Sequence, residues 1–255
     1  MQSLSKNKLK YIRSLHTSKY RQKYNNFIVE GHKSCIEFLK AGIFEVEELV
    51  STDKWYQTHK EHCSKINESK INIADSAMIG EASQFKSAPE VMLILKQQHA
   101  TFSQIIEADG PIFLVDDVQD PGNLGTIIRI ADWFGFYGVL RTIGSADFYN
   151  GKVVQSSMGS LNSIKIGILE DLNLLPWDRV VALDMAGQKI ENWEPGKKQI
   201  VVMGNEGNGV SKELLASAKQ VISIPGSVHR VAESLNVGVT AGIVANHIFA
   251  ALSKK

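Results

Sequence analysis

The chain has 255 residues, 44% hydrophobic and 22% charged, with 28 Lys and Arg against 27 Asp and Glu and a net charge of +1. This length and balance describe a folded chain of one or two domains and exclude a disordered polyelectrolyte. Two cysteines, Cys35 and Cys63, are too few for a disulfide framework or a zinc cluster, so a reducing cytoplasm is the expected compartment. Met1–Lys10 is polar and basic rather than leader-like, and no apolar run reaches the roughly 20 residues of a membrane helix.

The first third reads as a small α/β unit that opens on a basic arm. Lys6, Lys8, Lys10, Arg13, Lys19, Arg21 and Lys23 precede the first carboxylate of the chain. Such an arm is either a grip for a phosphate-rich partner or a solvated terminal segment. Leu4–Tyr24 has helical tendency and Phe27–Glu30 is a short apolar strand. Lys33–Ala41 is an amphipathic helix with Cys35, Ile36, Phe38 and Leu39 inward, closed by Gly42. Val46–Val50 is the next strand, followed by a helix over Trp55–Ile66, a strand at Ile71–Ala74, a helical turn at Asp75–Glu81 and a strand at Val91–Leu95. Periodicity is lost over Gln97–Ile106. The expected division is therefore a domain over 1–98, a linker over 99–109 and a second domain over 110–255.

From Gly110 onward strands and helices alternate. The strands are Ile112–Val115, Gly138–Leu140, Ile164–Ile168, Val180–Leu183, Ile200–Met203 and Val221–Ile224. The helices are Leu124–Phe134, Lys152–Met158, Lys212–Ala218 and Leu235–Leu252. This alternation predicts a mostly parallel sheet wrapped by helices, with ligands at the carboxyl ends of the strands. Three loops at such ends stand out. In the first, Asp120-Pro121-Gly122 turns into a helix for which Asn123 is the expected N-cap, with Leu124, Ile127, Ile128, Ala131 and Phe134 inward and Arg129 off that stripe. Arg129 is either a solvated charge or a fork for a phosphate or developing oxyanion. The second loop, Gly204-Asn205-Glu206-Gly207-Asn208-Gly209, has neither the dinucleotide-binding nor the NTPase phosphate-loop spacing, and its Glu206 would repel phosphate but favour a cation. The third runs from Ile224-Pro225-Gly226 to Glu233-Ser234-Leu235-Asn236-Val237, where Ser234 is the expected N-cap of a last helix apolar nearly all round, a core or subunit-interface element.

In this order, the stretches Asp120–Arg129, Gly204–Gly209, and Ile224–Gly226 with Glu233–Val237 resemble the three motifs of the SpoU-type (TrmH-like) RNA 2′-O-ribose methyltransferases of the SPOUT class. Phe27-Ile28-Val29-Glu30-Gly31 with its following helix is similar to that family's small substrate-binding domain, of ribosomal-protein-like α/β fold. The third motif departs from the family pattern in a longer stretch between Gly226 and Ser234, which carries His229 and Arg230.

The resemblance implies a C-terminal SPOUT domain with a trefoil knot, a homodimer, S-adenosylmethionine as cofactor and an RNA substrate, ribosomal rather than transfer RNA. It places the cofactor on Met203, Gly204, Asn205, Gly209, Ile224 and Leu235, and the catalytic work on Arg129, Asn123, Ser234, Asn236 and Glu206, with no metal. Arg129 is assigned to the oxygen that gains charge rather than to proton removal, because a guanidinium keeps its proton. The competing reading is an RNA- or ribosome-binding protein on a catalytically decayed methyltransferase fold; the polar residues of all three motifs argue against decay. A general nucleotide-binding protein is disfavoured by the missing phosphate-loop spacings. His59, His62 and Cys63 read as a helix face without a fourth metal ligand. Trp133, Phe134, Phe136 and Tyr137 read as core or interface.

Overall fold

The computed structural model describes residues 2–254; Met1 and Lys255 lie outside the described residues. Two compact units emerge: residues up to Gln98 together with Tyr149–Asn162, and His99–Phe148 together with Ser163 onward.

The first unit contains β1 (Gln2–Ser3), α1 (Lys6–Ser14), α2 (Ser18–Tyr24), β2 (Asn26–Glu30), α3 (His32–Ala41), β3 (Val46–Ser51), α4 (Asp53–Thr58), α5 (Lys60–Cys63), β4 (Ile71–Ile73), α6 (Ser76–Ala82) and β5 (Val91–Lys96). Its mixed sheet has the order β1-β4-β3-β5-β2, with β5 antiparallel to both β2 and β3. One face of the sheet is Ile28, Val50, Met92 and Ile94, sealed by Leu9, Ile12 and Leu15 from the α1 region and Ile79 and Ala82 from α6. The basic arm is thus part of the core rather than a solvated tail. The helix expected over Trp55–Ile66 is broken at His59, whose ring Nδ1 donates to the Trp55 carbonyl at 2.8 Å and so competes with the helical ladder.

The second unit contains α7 (Phe102–Ile106), β6 (Ile112–Val115), α8 (Pro121–Trp133) and β7 (Gly138–Thr142). After α9 (Gly151–Ser156), which belongs to the first unit, come β8 (Lys165–Leu169), β9 (Val180–Lys189), β10 (Ile200–Met203), α10 (Lys212–Ser217), β11 (Gln220–Ser223) and α11 (Val237–Leu252). The sheet order is β11-β9-β10-β6-β7-β8 and every pairing is parallel. The period-2 alternation sends Ile112 and Leu114 to one face, with Ile105, Leu140, Ala182, Val202 and Leu214. Phe113 goes to the other, stacked on Phe136 at 4.2 Å. On that second face α8 and α11 pack closely, because a Cβ at Gly238 would stand 3.1 Å from Thr126 Cγ2 and one at Gly242 would stand 3.8 Å from Ile130 Cδ1.

The stretch expected as a linker, 99–109, carries α7. A capping box between Thr101 and Gln104 starts it, and Ile105 is fully buried against Gly138 and Gly167, whose missing side chains make room for it. Five residues are too few to show a period, which is why the sequence does not display this helix.

Tyr149 and α9 belong to the first unit although they follow β7 in the chain. Tyr149 is 1% exposed, its ring lies 4.4 Å from that of Phe27, and its hydroxyl accepts from Gln98 N at 2.8 Å while donating to Gln98 O. Tyr149→Phe should lower stability by about 1–3 kcal/mol, because both Gln98 backbone groups lose their partner. Tyr149→Ala should cost about 3–5 kcal/mol through the cavity it opens. Urea denaturation of the three proteins checks this; equal midpoints would show that the hydroxyl bonds contribute nothing.

Candidate functional site

Because the second sheet is parallel, the carboxyl ends of β6, β9, β10 and β11 lie along one edge, where all three predicted loops emerge. The loops are stitched there by named bonds. Asp116 N donates to Met203 O at 2.8 Å, and the buried Asp116 carboxylate accepts from Ser211 N at 2.8 Å, which ties the first loop to both ends of the second. Asn205 folds the second loop on itself. Its Oδ1 accepts from Gly207 N at 2.8 Å and Asn208 N at 3.0 Å, its backbone pairs with Gly209 in both directions, and its Nδ2 donates to Asp117 O at 2.9 Å. Gly209 has φ +70°, a left-handed conformation that favours glycine. Gly204 is demanded by contact instead, since a Cβ there would lie 2.2 Å from the Gly209 carbonyl carbon and the Val210 nitrogen.

Two predicted caps move. Asp120, not Asn123, caps α8: its Oδ1 accepts from Asn123 N at 2.8 Å, and Pro121 takes the first helical position, where a missing N–H costs nothing. Asn236, not Ser234, caps α11, its Oδ1 accepting from Gly238 N at 2.9 Å and Val239 N at 3.3 Å. These shifts free the Asn123 side chain and orient the site. The cap holds the Asn236 oxygen toward the helix, so its Nδ2 points away and donates to Asn123 Oδ1 at 3.0 Å. Asn123 Nδ2 then donates to Glu206 Oε1 at 2.6 Å. A carboxylate only accepts and a helix N-terminus only donates, so both amides are oriented without ambiguity. One residue from each motif thus joins a single chain of bonds running from the amino end of α11 to the Glu206 carboxylate.

Beside this chain lies a cavity of about 420 Å³. Met203, Gly204, Asn205, Gly209, Ile224 and Leu235, the six residues expected at the cofactor, all line it, as do Glu206 and Ser234. Among the described residues, no backbone hydrogen bond outside the helices and strands engages Gly204, Ile224 or Leu235, so their peptide groups are left for a ligand. Asn123 and Asn236 reach the cavity only through Glu206. Arg129 lies outside the lining: it is exposed on the outer side of α8 and forms no hydrogen bond or ion pair with a described residue. His229 and Arg230 are exposed in the long third loop, where the Arg230 guanidinium donates to Ser227 O at 3.2 Å. Among the described residues no group of three metal-ligating side chains converges.

Leu183, Asp184 and Met185 also line the cavity, and sequence reasoning did not select them. Consecutive Val221 and Ile222 of β11 pair with Ala182 and Gln188 of β9, so residues 183–187 bulge out of the ladder toward the site. Asp184 Oδ1 accepts from Ala186 N at 2.8 Å, closing the bulge, and a Cβ at Gly187 would stand 2.6 Å from the backbone of Ile222. Gly187 after the apolar run Val180–Leu183 is the sequence signal for this device.

The profile of the SpoU rRNA Methylase family matches residues 111–246, and that of the MRM3-like substrate binding domain matches residues 6–112. The 23S rRNA (guanosine(2553)-2′-O)-methyltransferase RlmP of Bacillus subtilis is 29% identical over 257 residues, covering 97% of this chain and 98% of that protein. A crystal structure of an AdoMet-bound rRNA methyltransferase from Sinorhizobium meliloti is similar with a TM-score of 0.86 and 27% identity, covering 99% and 97% of the two chains. The structure of a Porphyromonas gingivalis protein assigned to the TrmH family of RNA methyltransferases has a TM-score of 0.83 and 31% identity, covering 96% and 98%. With one profile spanning more than half of its length at the three loops and full-length relatives of the same fold, the chain belongs to the SpoU rRNA methylase family.

Proposed function

We propose that this chain transfers a methyl group from S-adenosylmethionine to a ribose 2′-hydroxyl of RNA, with large-subunit ribosomal RNA as the substrate class and the cytoplasm as its place of work. The reading is carried by the bonded chain Asn236–Asn123–Glu206, which draws all three motifs onto one cavity. Family membership and the relatives described above support the RNA substrate.

The cavity suits the cofactor. Met203, Ile222, Leu235 and Val237 offer apolar surface for a purine, the peptide groups of Gly204, Ile224 and Leu235 offer hydrogen bonds to its edges, and the Glu206 carboxylate offers a counter-charge to a sulfonium. S-adenosylmethionine, when bound, supplies a methyl carbon made electrophilic by a positively charged sulfur. The chain's own task is to bring a ribose oxygen into line and to stabilise the negative charge that grows on it as its proton leaves. Arg129 takes the charge-stabilising role and also clamps an RNA phosphate, for which an unpaired guanidinium fork is suited. Asn123 and Asn236 hold Glu206 and the loop in register, and Ser234 orients the ribose.

The working unit is a homodimer. Val239 and Ile243, one turn apart, leave an apolar edge exposed on α11, Phe249 is half exposed farther along that helix, and Trp133 on α8 is 82% exposed, although a ring that large is ordinarily covered. The packing of α8 on α11 places these side chains on neighbouring helices, and Arg129 is one helical turn before Trp133.

Arg129→Ala should lower kcat by about 10²–10³-fold with cofactor affinity unchanged in calorimetric titration, and Arg129→Lys should recover only part of it; a near wild-type rate in the alanine variant would remove Arg129 from the mechanism. Asn123→Ala strips Glu206 and Asn236 of their shared partner and should reduce kcat/KM by about tenfold or more, with α8 still capped by Asp120. Trp133→Glu should convert a dimer to a monomer in sedimentation velocity; an unchanged sedimentation coefficient would exclude this face. The reading as a whole is tested by mapping 2′-O-methyl positions in total RNA with and without the gene. Loss of no position, together with no measurable cofactor binding, would favour a pure RNA binder instead.

A further inference from the structure

The first unit presents a surface in which exposed rings and unpaired cations alternate. Tyr20 and Tyr24 of α2 are 36% and 41% exposed, their ring planes lie within 15° of one another, and their centroids are 6.3 Å apart. The edge-on ring of Tyr11 braces Tyr24 at 5.1 Å, and the Lys23 ammonium stands 5.3 Å from the Tyr24 centroid. Lys6, Lys10 and Arg13 fall at i, i+4 and i+7, one stripe of α1, and with Lys19 and Lys23 they are all exposed and in no ion pair with a described residue. The other two cations of the arm are committed elsewhere. Arg21 is 3% exposed and donates to the carbonyls of Leu15 and His16, while Lys8 pairs with Glu48 at 2.9 Å. The carboxylates acting on Tyr11 are Glu48, held by Lys8, and Glu47, held by Lys96 at 3.2 Å. The uncompensated charge of this surface is therefore positive.

We propose that the exposed face of α2 is a stacking platform for an unpaired stretch of the substrate RNA, with bases on Tyr20 and Tyr24 and phosphates on Lys19 and Lys23. The proposal rests on the reading of the chain as an RNA-modifying enzyme and adds the form of RNA it grips. A ring face gains from a nucleobase only when that base is out of its own stack. A duplex offers this surface phosphates alone, so rings beside lysines select single strand over helix. Tyr also fits this task because its hydroxyl keeps an exposed ring soluble while the face stays apolar.

The test is fluorescence anisotropy of the full chain with two labelled probes, a short oligouridylate and an A-form RNA duplex of the same length, over a salt series. Tyr20→Leu/Tyr24→Leu should weaken oligouridylate binding by about tenfold or more and leave duplex binding within about twofold. Tyr20→Phe/Tyr24→Phe, which keeps both rings, should bind as the parent does. Lys19→Gln/Lys23→Gln should weaken both probes and reduce the slope of log affinity against log salt by about 2. Thermal unfolding identifies a misfolded double variant; Tyr20→Leu, whose only ring partner among the described residues is Tyr24, then carries the comparison. Undiminished oligouridylate binding by the leucine variants, or equal loss on both probes, overturns the platform. So does displacement of the oligouridylate by an acidic peptide of higher affinity, which would assign the face to a protein partner. Methyl transfer is not the readout, so a failure of the catalytic reading is seen separately from a failure of this one.

Discussion

The site depends on a hydrogen-bond chain whose direction is dictated at both ends. The amino end of α11 can only donate and the Glu206 carboxylate can only accept, so the two amides between them, Asn236 and Asn123, each have one permitted orientation. The loops after β6, β10 and β11 are far apart in sequence; Asp116 and Asn205 tie the first two together, and the amides of Asn123 and Asn236 join the third to them. The chain supplies that registration through side chains, and it draws the Glu206 carboxylate to the rim of the space lined by Gly204, Ile224 and Leu235. Neutral amides suit this task better than charged groups. They bridge two elements without adding a net charge that would compete with a cationic cofactor or a polyanionic substrate.

Around that chain, backbone proximity is obtained by omitting side chains. Gly204 lies against Gly209 and Val210 at distances no Cβ tolerates, and Gly187 returns the β9 bulge to β11 under the same restriction. These contacts bring main-chain groups to the cavity wall, where they can read a ligand by hydrogen bonds that a sequence change at neighbouring positions does not disturb. The bulge also extends the wall beyond the three motifs, adding Asp184 and Met185. A parallel sheet makes this possible, since the bulge of β9 opens near the same edge as the carboxyl ends of its neighbours β10 and β11.

The basic arm shows how position within a fold sorts residues of one type into different roles. Seven Lys and Arg precede Glu30, yet Arg21 is consumed in satisfying the carbonyls at the end of α1 and Lys8 in neutralising Glu48. Buried or paired, these two support the unit that carries the rest. Of the five that remain, Lys6, Lys10 and Arg13 are exposed on α1, whose Leu9 and Ile12 are part of the core, and Lys19 and Lys23 on α2, whose buried residue is Arg21.

By itself the sequence determined the alternation of strands and helices, the parallel sheet of the C-terminal half, the three loops and the family they mark. Buried strands and amphipathic helices are local periodic signals, and glycine, proline and asparagine at strand ends are local chemical ones. Only the tertiary structure decided which residues cap the two helices and which amides link the loops. Asn123 and Ser234 are good caps on paper, yet Asp120 and Asn236 take those places, which leaves the Asn123 amide to bridge Asn236 and Glu206. It also decided that Tyr149 and α9 complete the first unit, that Ile105 lies on glycines rather than in a linker, and that β9 bulges. Each of these depends on contacts between residues distant in the chain, which local patterns do not specify; of the three, only the bulge leaves a local mark, Gly187. Arg129 stands at the boundary between the two kinds of knowledge: its motif singles it out in the sequence, and its exposed place on α8, outside the cavity lining, is a fact of the folded chain alone.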